Sequence, residues 1–232
     1  MSVKGGPNIV TDGLVLHLDA ADKNSYPGSG STWYDLSGNN HGALTNGPVF
    51  DNSNAGSLIF DNVNDYVSLG TPSSLNAVQV PLTICVWAKS NGFGSYDVLW
   101  GVDKSTSGGA LYSMIRLDFG VFKYYTSTSS GGFQARGTFT ASANVWNFYA
   151  VVMSGSIASP IVTMYLNNSS ETSAFSSLSA TPDLTVDFRI GSNQRANECW
   201  NGNISNVMWY NQPLQQKEIQ QNYLATKGRF GL

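Results

Sequence analysis

The chain has 232 residues, of which only 12% are charged, 12% are aromatic and 24 are glycine. That balance excludes a protein of long amphipathic helices, whose outer faces need charge, and favours many short strands joined by Gly, Ser and Asn turns. A net charge of −3 gives no basic footprint for nucleic acid, and two cysteines are too few for a disulfide framework at this length.

Residues 1–12 contain no apolar run long enough for a secretory signal, and no stretch of the chain is long enough to span a membrane. The expectation is synthesis in the cytoplasm and no membrane insertion. Gly13–Ala20 reads as the first strand, with His17 a hydrogen-bonded structural residue among apolar neighbours. Residues 22–47 read as one long loop, and loops of that length are either functional or packed by their own aromatics. Trp33 and Tyr34 supply such packing. Ser57–Phe60 and Tyr66–Leu69 are short strands around an Asp/Asn-rich turn.

In Leu82–Lys89 one face carries Leu82, Ile84, Val86 and Ala88, and the other carries Thr83, Cys85, Trp87 and Lys89. Bulk on both faces is expected of a central strand. Further strands are predicted at Asp97–Val102, Leu111–Leu117, Phe119–Tyr125, Phe133–Phe139, Trp146–Val152, Ile161–Leu166 and Leu184–Ile190. Their spacing is that of a sandwich or barrel. A last strand over Asn203–Tyr210 stops at Asn211-Gln212-Pro213. One helix then starts at Gln215, with Ile219 and Tyr223 on one face, Glu218 at its third position and Gly228 past its end. The helix is expected to cover an end or edge of the strands through Leu214, Ile219 and Tyr223. The reading is a single domain over 13–226, with an N-terminal arm at 1–12 and a tail at 227–232. Cys85 and Cys199 are read as two buried free thiols, with a single bridge between them as the alternative.

Six motifs, in this order, resemble the concanavalin A-like, laminin-G-like jelly-roll family. They are Ser57–Val67, Leu82–Lys89, Trp146–Val152, Val162–Asn167, Arg189–Gly191, and Trp200–Tyr210 with Leu214, Glu218 and Ile219. The resemblance implies an all-β fold of two packed antiparallel sheets with one short C-terminal helix, the first strand lying beside the last. A narrower resemblance links Gly13–Ala21, Tyr26–Trp33, Asp35–Asn40 and Glu218–Leu232 to laminin-G-like proteins of tailed bacteriophages. It implies a chain bracketed at both ends and a place on the virion surface, as tail fibre, head fibre or capsid decoration.

Related jelly rolls include glycoside hydrolases, which need two carboxylates close together. The three glutamates, Glu171, Glu198 and Glu218, are far apart in sequence, and His17 and His41 are the only imidazoles. There is no nucleophile elbow, metalloprotease helix or phosphate-binding loop motif. No catalysis is expected. Asp35–Asn40 puts several oxygens in one Gly-containing loop, making Asp35 and Asn39 the candidate ligands for Ca2+. The alternative is an Asx-type turn that binds nothing. In relatives an acidic pair often follows Trp200, but this chain has Ser205 and Asn206.

Sugar binding needs an aromatic platform and planar polar groups. Trp100, Tyr112, Arg116 and Tyr124 on neighbouring strands, with Asn193 and Arg195 from a polar loop, are the candidate residues. Two functions follow: adhesion to host-surface or environmental polysaccharide, or a structural role in contact with other virion proteins. The structural role would use residues 1–10 and 227–232 as arms, and virion symmetry would favour a homo-oligomer.

Overall fold

Alternation of side chains along each strand sorts the chain into two sheets with a shared core. The computed structural model describes residues 7–72, 74–75, 80–104, 111–127, 133–178, 187–194 and 198–232, with only the backbone given at positions 103, 104, 111, 112 and 133. The strands run β1 (Leu14–Asp19), β2 (Thr32–Trp33), β3 (Gly42–Thr45), β4 (Val49–Asp51), β5 (Ser57–Asp61), β6 (Tyr66–Ser68), β7 (Leu82–Ser90) and β8 (Asp97–Lys104). They continue as β9 (Leu111–Asp118), β10 (Val121–Ser127), β11 (Phe133–Arg136), β12 (Trp146–Ser156), β13 (Ser159–Leu166), β14 (Ser169–Ala174), β15 (Arg189–Ile190) and β16 (Asn201–Tyr210). Helix α1 (Gln216–Thr226) and a 3₁₀ turn (Lys227–Phe230) close the fold.

Among the described residues each sheet has eight strands, paired antiparallel. The first has the order β14-β13-β12-β7-β16-β5-β4, and the second β11-β10-β9-β8-β15-β6-β3-β2. On the side of β16 away from β7, Asn201–Ile204 pair with β5 and Asn206–Tyr210 pair with β1. The first strand therefore lies beside the last, as the family resemblance implied.

β7 is buried on both faces, and its alternation explains why. Leu82, Ile84, Val86 and Ala88 join the core between the sheets, while Cys85 and Trp87 join a second cluster on the outer face of the first sheet. Trp100 and Trp209 meet edge to face at 4.9 Å across the inter-sheet core, and Phe122 and Tyr149 do so at 5.1 Å. The outer cluster is roofed by Leu214, Ile219, Tyr223 and Phe230. Each such side chain contributes about 1.5–3 kcal/mol on burial. Trp87 is the anchor: it stacks on Tyr223 at 5.6 Å, touches Phe230 at 4.3 Å and donates to Thr226 Oγ1 at 2.7 Å.

Several expectations need correction. The helix covers the outer face of a sheet, rather than an end or edge. Its Gln215 N–H is received by Glu218 at 2.7 Å, which completes the start that Gln215 alone would leave weak. Gly228 sits inside the 3₁₀ turn, and the left-handed position past the end is Gly231, at φ 74°. The stretch 22–47 holds β2 and β3 rather than loop alone. Phe119 lies outside β10, in a left-handed turn residue at φ 49°, and β11 stops at Arg136. Of the strand expected at Leu184–Ile190, residues 184–186 lie outside the described residues and the pairing is at Arg189–Ile190. The expected arms are docked where described. Val10 N–H donates to Asn222 Oδ1 at 2.8 Å and Val10 O accepts from Tyr210 at 3.0 Å. Arg229 is paired with the buried Asp19 at 2.7 Å. Both cysteines are free and buried.

Candidate functional site

Three connections meet at one end of the sandwich: β5 to β6, β7 to β8, and the segment leading into β16. Together they line an open cavity of about 290 Å³ with Asn62 and Val63, Gly94 to Asp97, and Cys199. The β5–β6 turn is shaped by its own acids. Asp61 accepts from Val63 N–H at 2.8 Å, and Asp65 accepts from Asp61 N–H at 3.1 Å. The β7–β8 loop is held by Gly92 N–H on Ser90 Oγ at 3.0 Å and by Gly94 N–H on Asp97 Oδ2 at 2.8 Å.

Asp97 begins β8 and is 1% exposed, and its Oδ1 has no hydrogen-bond partner among the described residues. Burial pushes its carboxyl up to about 6, with Gly94 N–H opposing the shift. A buried acceptor without a donor costs about 1–3 kcal/mol. Such a group on the wall of a cavity makes it a candidate ligand site.

Beside the cavity, on the outer face of the second sheet, Arg116 lies between two rings, its guanidinium 4.2 Å from the centres of both Tyr96 and Tyr125. It bonds Asp118 Oδ1 at 2.7 Å, Glu198 Oε2 at 3.1 Å and the Tyr125 hydroxyl at 2.7 Å. Tyr125 also donates a short hydrogen bond to Asp118, and Lys123 pairs with Asp118 at 3.0 Å. Burial alone would raise the Asp118 carboxyl, but the hydrogen bonds from Arg116, Tyr125 and Lys123 bring it below the ordinary range. Burial and the neighbouring Asp118 push the Tyr125 phenol up to about 12. The result is a rigid base under Tyr96, which is 47% exposed and lies 6.5 Å from the 72% exposed Phe119. Tyr96, Phe119 and Val63 give this end an apolar lip beside polar groups.

The candidate sugar residues divide accordingly. Arg116 belongs to this end, tied to Glu198. Trp100 and Tyr124 are corrected: both are buried in the inter-sheet core and offer no ring face to a ligand. Tyr124 instead shares a hydrogen bond with Ser113 at 2.8 Å. Asn193 is buried, and its carbonyl accepts from Arg189 at 3.0 Å. Arg195 and the side chain of Tyr112 lie outside the described residues. The sequence reading missed Asp97, Tyr96, Asn62 and Val63. The signal for the first two was the Gly92-Phe-Gly-Ser-Tyr-Asp97 run, a glycine-bearing loop that delivers a ring and a carboxylate together.

At the candidate Ca2+ loop, Asp35 accepts from His17 N–H (2.9 Å), Ser37 N–H (2.9 Å), Ser37 Oγ (2.7 Å) and Asn40 N–H (3.1 Å). Asn39 is exposed. Four donors converge on one carboxylate, the pattern of an Asx-type turn. Among the described residues no three His, Cys, Asp or Glu side chains gather as metal ligands. His17 shares a hydrogen bond with Asn206 at 3.2 Å, and burial lowers its pKa, with Asp19 opposing. Among the described residues no helix is long and apolar enough to cross a membrane.

A search of curated protein sequences gives no match. Among solved structures the chain is similar to the binding domain of Paraclostridial Mosquitocidal Protein 1, at 15% identity and TM-score 0.70 over 92% of this chain and 52% of that one. It is similar to the sialidase of Trypanosoma rangeli in complex with 2,3-difluorosialic acid, at 16% identity and TM-score 0.67 over 97% of this chain and 35% of that one. The binding domain of botulinum neurotoxin serotype D matches at 12% identity and TM-score 0.63, over 92% of this chain and 52% of that one. The chain thus spans about half the length of the two toxin domains and about a third of the sialidase, and at these identities the likeness is one of fold. The family model matches residues 60–220, more than half of the sequence, from the end of β5 into α1, and the chain belongs to the Laminin_G_3 family of the concanavalin A-like lectin/glucanases superfamily.

Proposed function

We propose that the protein is a non-catalytic saccharide-binding module displayed on a virion surface, as head fibre, tail fibre or capsid decoration. The observation that carries the binding part is the exposed Tyr96 ring, fixed over Arg116 beside the cavity that holds the unpartnered Asp97 oxygen. A sugar ring offers both an apolar face for the tyrosine and hydroxyl donors for the carboxylate. The lectin-like fold, and the fact that two of the similar structures are toxin binding domains, agree with this reading.

The site is proposed to bind without cleaving. Hydrolysis needs two carboxylates free for separate roles, and of the acids near Asp97, Glu198 and Asp118 are paired with Arg116 while Asp61 and Asp65 accept backbone N–H groups of their own turn. No shorter product is expected on incubation with a bound oligosaccharide. The virion setting rests on the resemblance of Gly13–Ala21, Tyr26–Trp33, Asp35–Asn40 and Glu218–Leu232 to phage proteins. Of the arms that the structural alternative would use, residues 8–10 and 227–230 are packed onto the fold.

The binding test is a glycan array probed with wild-type protein and Tyr96→Ala. Wild type should bind a subset of glycans, and the variant should bind them about tenfold more weakly, or 1.4 kcal/mol. Equal binding would remove Tyr96 from the site, and an array blank for wild type would remove the function. Gold-labelled antibody on purified phage particles is expected to mark head or tail, and unlabelled particles would overturn the virion placement.

A further inference from the structure

We infer that this cavity selects uncharged, hydroxyl-rich sugars and rejects those bearing a carboxylate, an inference that rests on the saccharide-binding reading. Three observations carry it. Among the described residues lining the cavity, Asp97 is the one acid and there is no base. Among the described residues its buried Oδ1 has no donor, and its Oδ2 takes Gly94 N–H at 2.8 Å. An acceptor of this kind is completed by an O–H donor from a ligand, and adjacent sugar hydroxyls supply such donors.

The third observation concerns the bases on the surrounding strands. A carboxylate ligand needs a guanidinium or ammonium with donors to spare. Arg116 on β9 is bound by Asp118 at 2.7 Å and Glu198 at 3.1 Å, and Lys123 on β10 by Asp118 at 3.0 Å. Arg189 on β15 is bound by Asp187 at 2.9 Å, by the carbonyl of Asn193 at 3.0 Å and by that of Gln194 at 3.2 Å. Each is neutralised by an acid of the protein itself. A uronate or sialic acid entering the cavity would meet Asp97 with like charge and find these bases engaged.

The test uses two matched pairs that differ only in the group at C6: galactose with galacturonate, and glucose with glucuronate. Each is titrated at pH 7.5 into the full chain and into Asp97→Asn. For wild type, at least one hexose should bind, with its uronate at least about tenfold weaker, a gap of 1.4 kcal/mol. In Asp97→Asn that gap should narrow to about threefold or less, with the variant's melting temperature at or above that of wild type. Should the variant fail to fold, the wild-type gap is measured at 0.05 and 0.5 M salt, where screening should narrow it if charge is the cause. A uronate that binds as tightly as its hexose overturns the inference and leaves the saccharide reading standing. A gap unchanged by Asp97→Asn, or by salt, also overturns it. If none of the four sugars binds and the glycan array is blank, the saccharide reading falls with it.

Discussion

Burial places the Asp97 carboxyl near pH 6 in the folded protein, against an ordinary value of 3.8, and the linkage sign follows. Between those two values the folded state holds more protons than the unfolded one, so stability falls as pH rises through the interval, and above it the loss is complete. The Tyr149 phenol, which senses the Asp97 charge, stays neutral throughout, since its own burial pushes its pKa upward. Asp97→Asn is expected to melt higher than wild type at pH 7.5, with the difference shrinking toward zero near pH 4 in a thermal-melt series. A constant difference across pH would show that ionisation is not its source. At Asp35 the argument runs the other way. Four donors on its carboxylate predict that Asp35→Ala lowers stability by roughly 2–3 kcal/mol, and that added calcium leaves the wild-type melting temperature unchanged. A calcium-dependent rise would mean the loop can turn its oxygens to a cation. The misplaced aromatics are also explained at this scale. Alternation alone cannot say which face of β8 looks inward, and a bulge between Val98 and Trp100 resets the count, so Trp100 turns to the core. Arg116 was found from the sequence because few residues of its kind occur here; its partner Glu198 is 82 positions away and visible only in the fold.

At the scale of elements, the docked helix is the clearest test of packing. Ile219 is 2% exposed on α1, and Ile219→Asp places a charge in the apolar cluster that also holds Trp87, Phe148 and Tyr223. The expected loss is roughly 3 kcal/mol or more, read as a lower urea midpoint, and an unchanged midpoint would mean the helix does not rest on the sheet. Helix and central strands were legible because each combines strong periodicity with clear stop signals at Pro213 and in the flanking turns. β14 was not, because Ser169–Ala174 has no large apolar residue and lies at the edge of its sheet, where only β13 pairs with it. Its pairing is set by backbone hydrogen bonds, which leave little trace in composition. β2 and β3 hid for a related reason, being too short to show a period. The helix was assigned to an edge because the outer apolar face of β7 and β12 was not weighed as a surface in need of a cover.

For the molecule as a whole, the two sheets are unequally protected. β7, β12 and β16 have the inter-sheet core on one side and the helix cluster on the other. Amide exchange followed by mass spectrometry should therefore be slowest around Val86, Val151 and Val207, and fastest among the strands in the edge strand β14. Equal rates in β14 and β7 would contradict this layering. The pairing of β1 with β16 has a mechanical consequence. Leu14 faces Tyr210 at one end of that ladder and Asp19 faces Asn206 at the other. The chain enters β1 and leaves β16 at the same end, so a pull on the two flanking segments loads the rungs one after another and peels the strands apart. A shearing geometry would load every rung together. Tension between these segments should thus release the helix and β1 at low force, with the β7–β12 centre of the sheet yielding later.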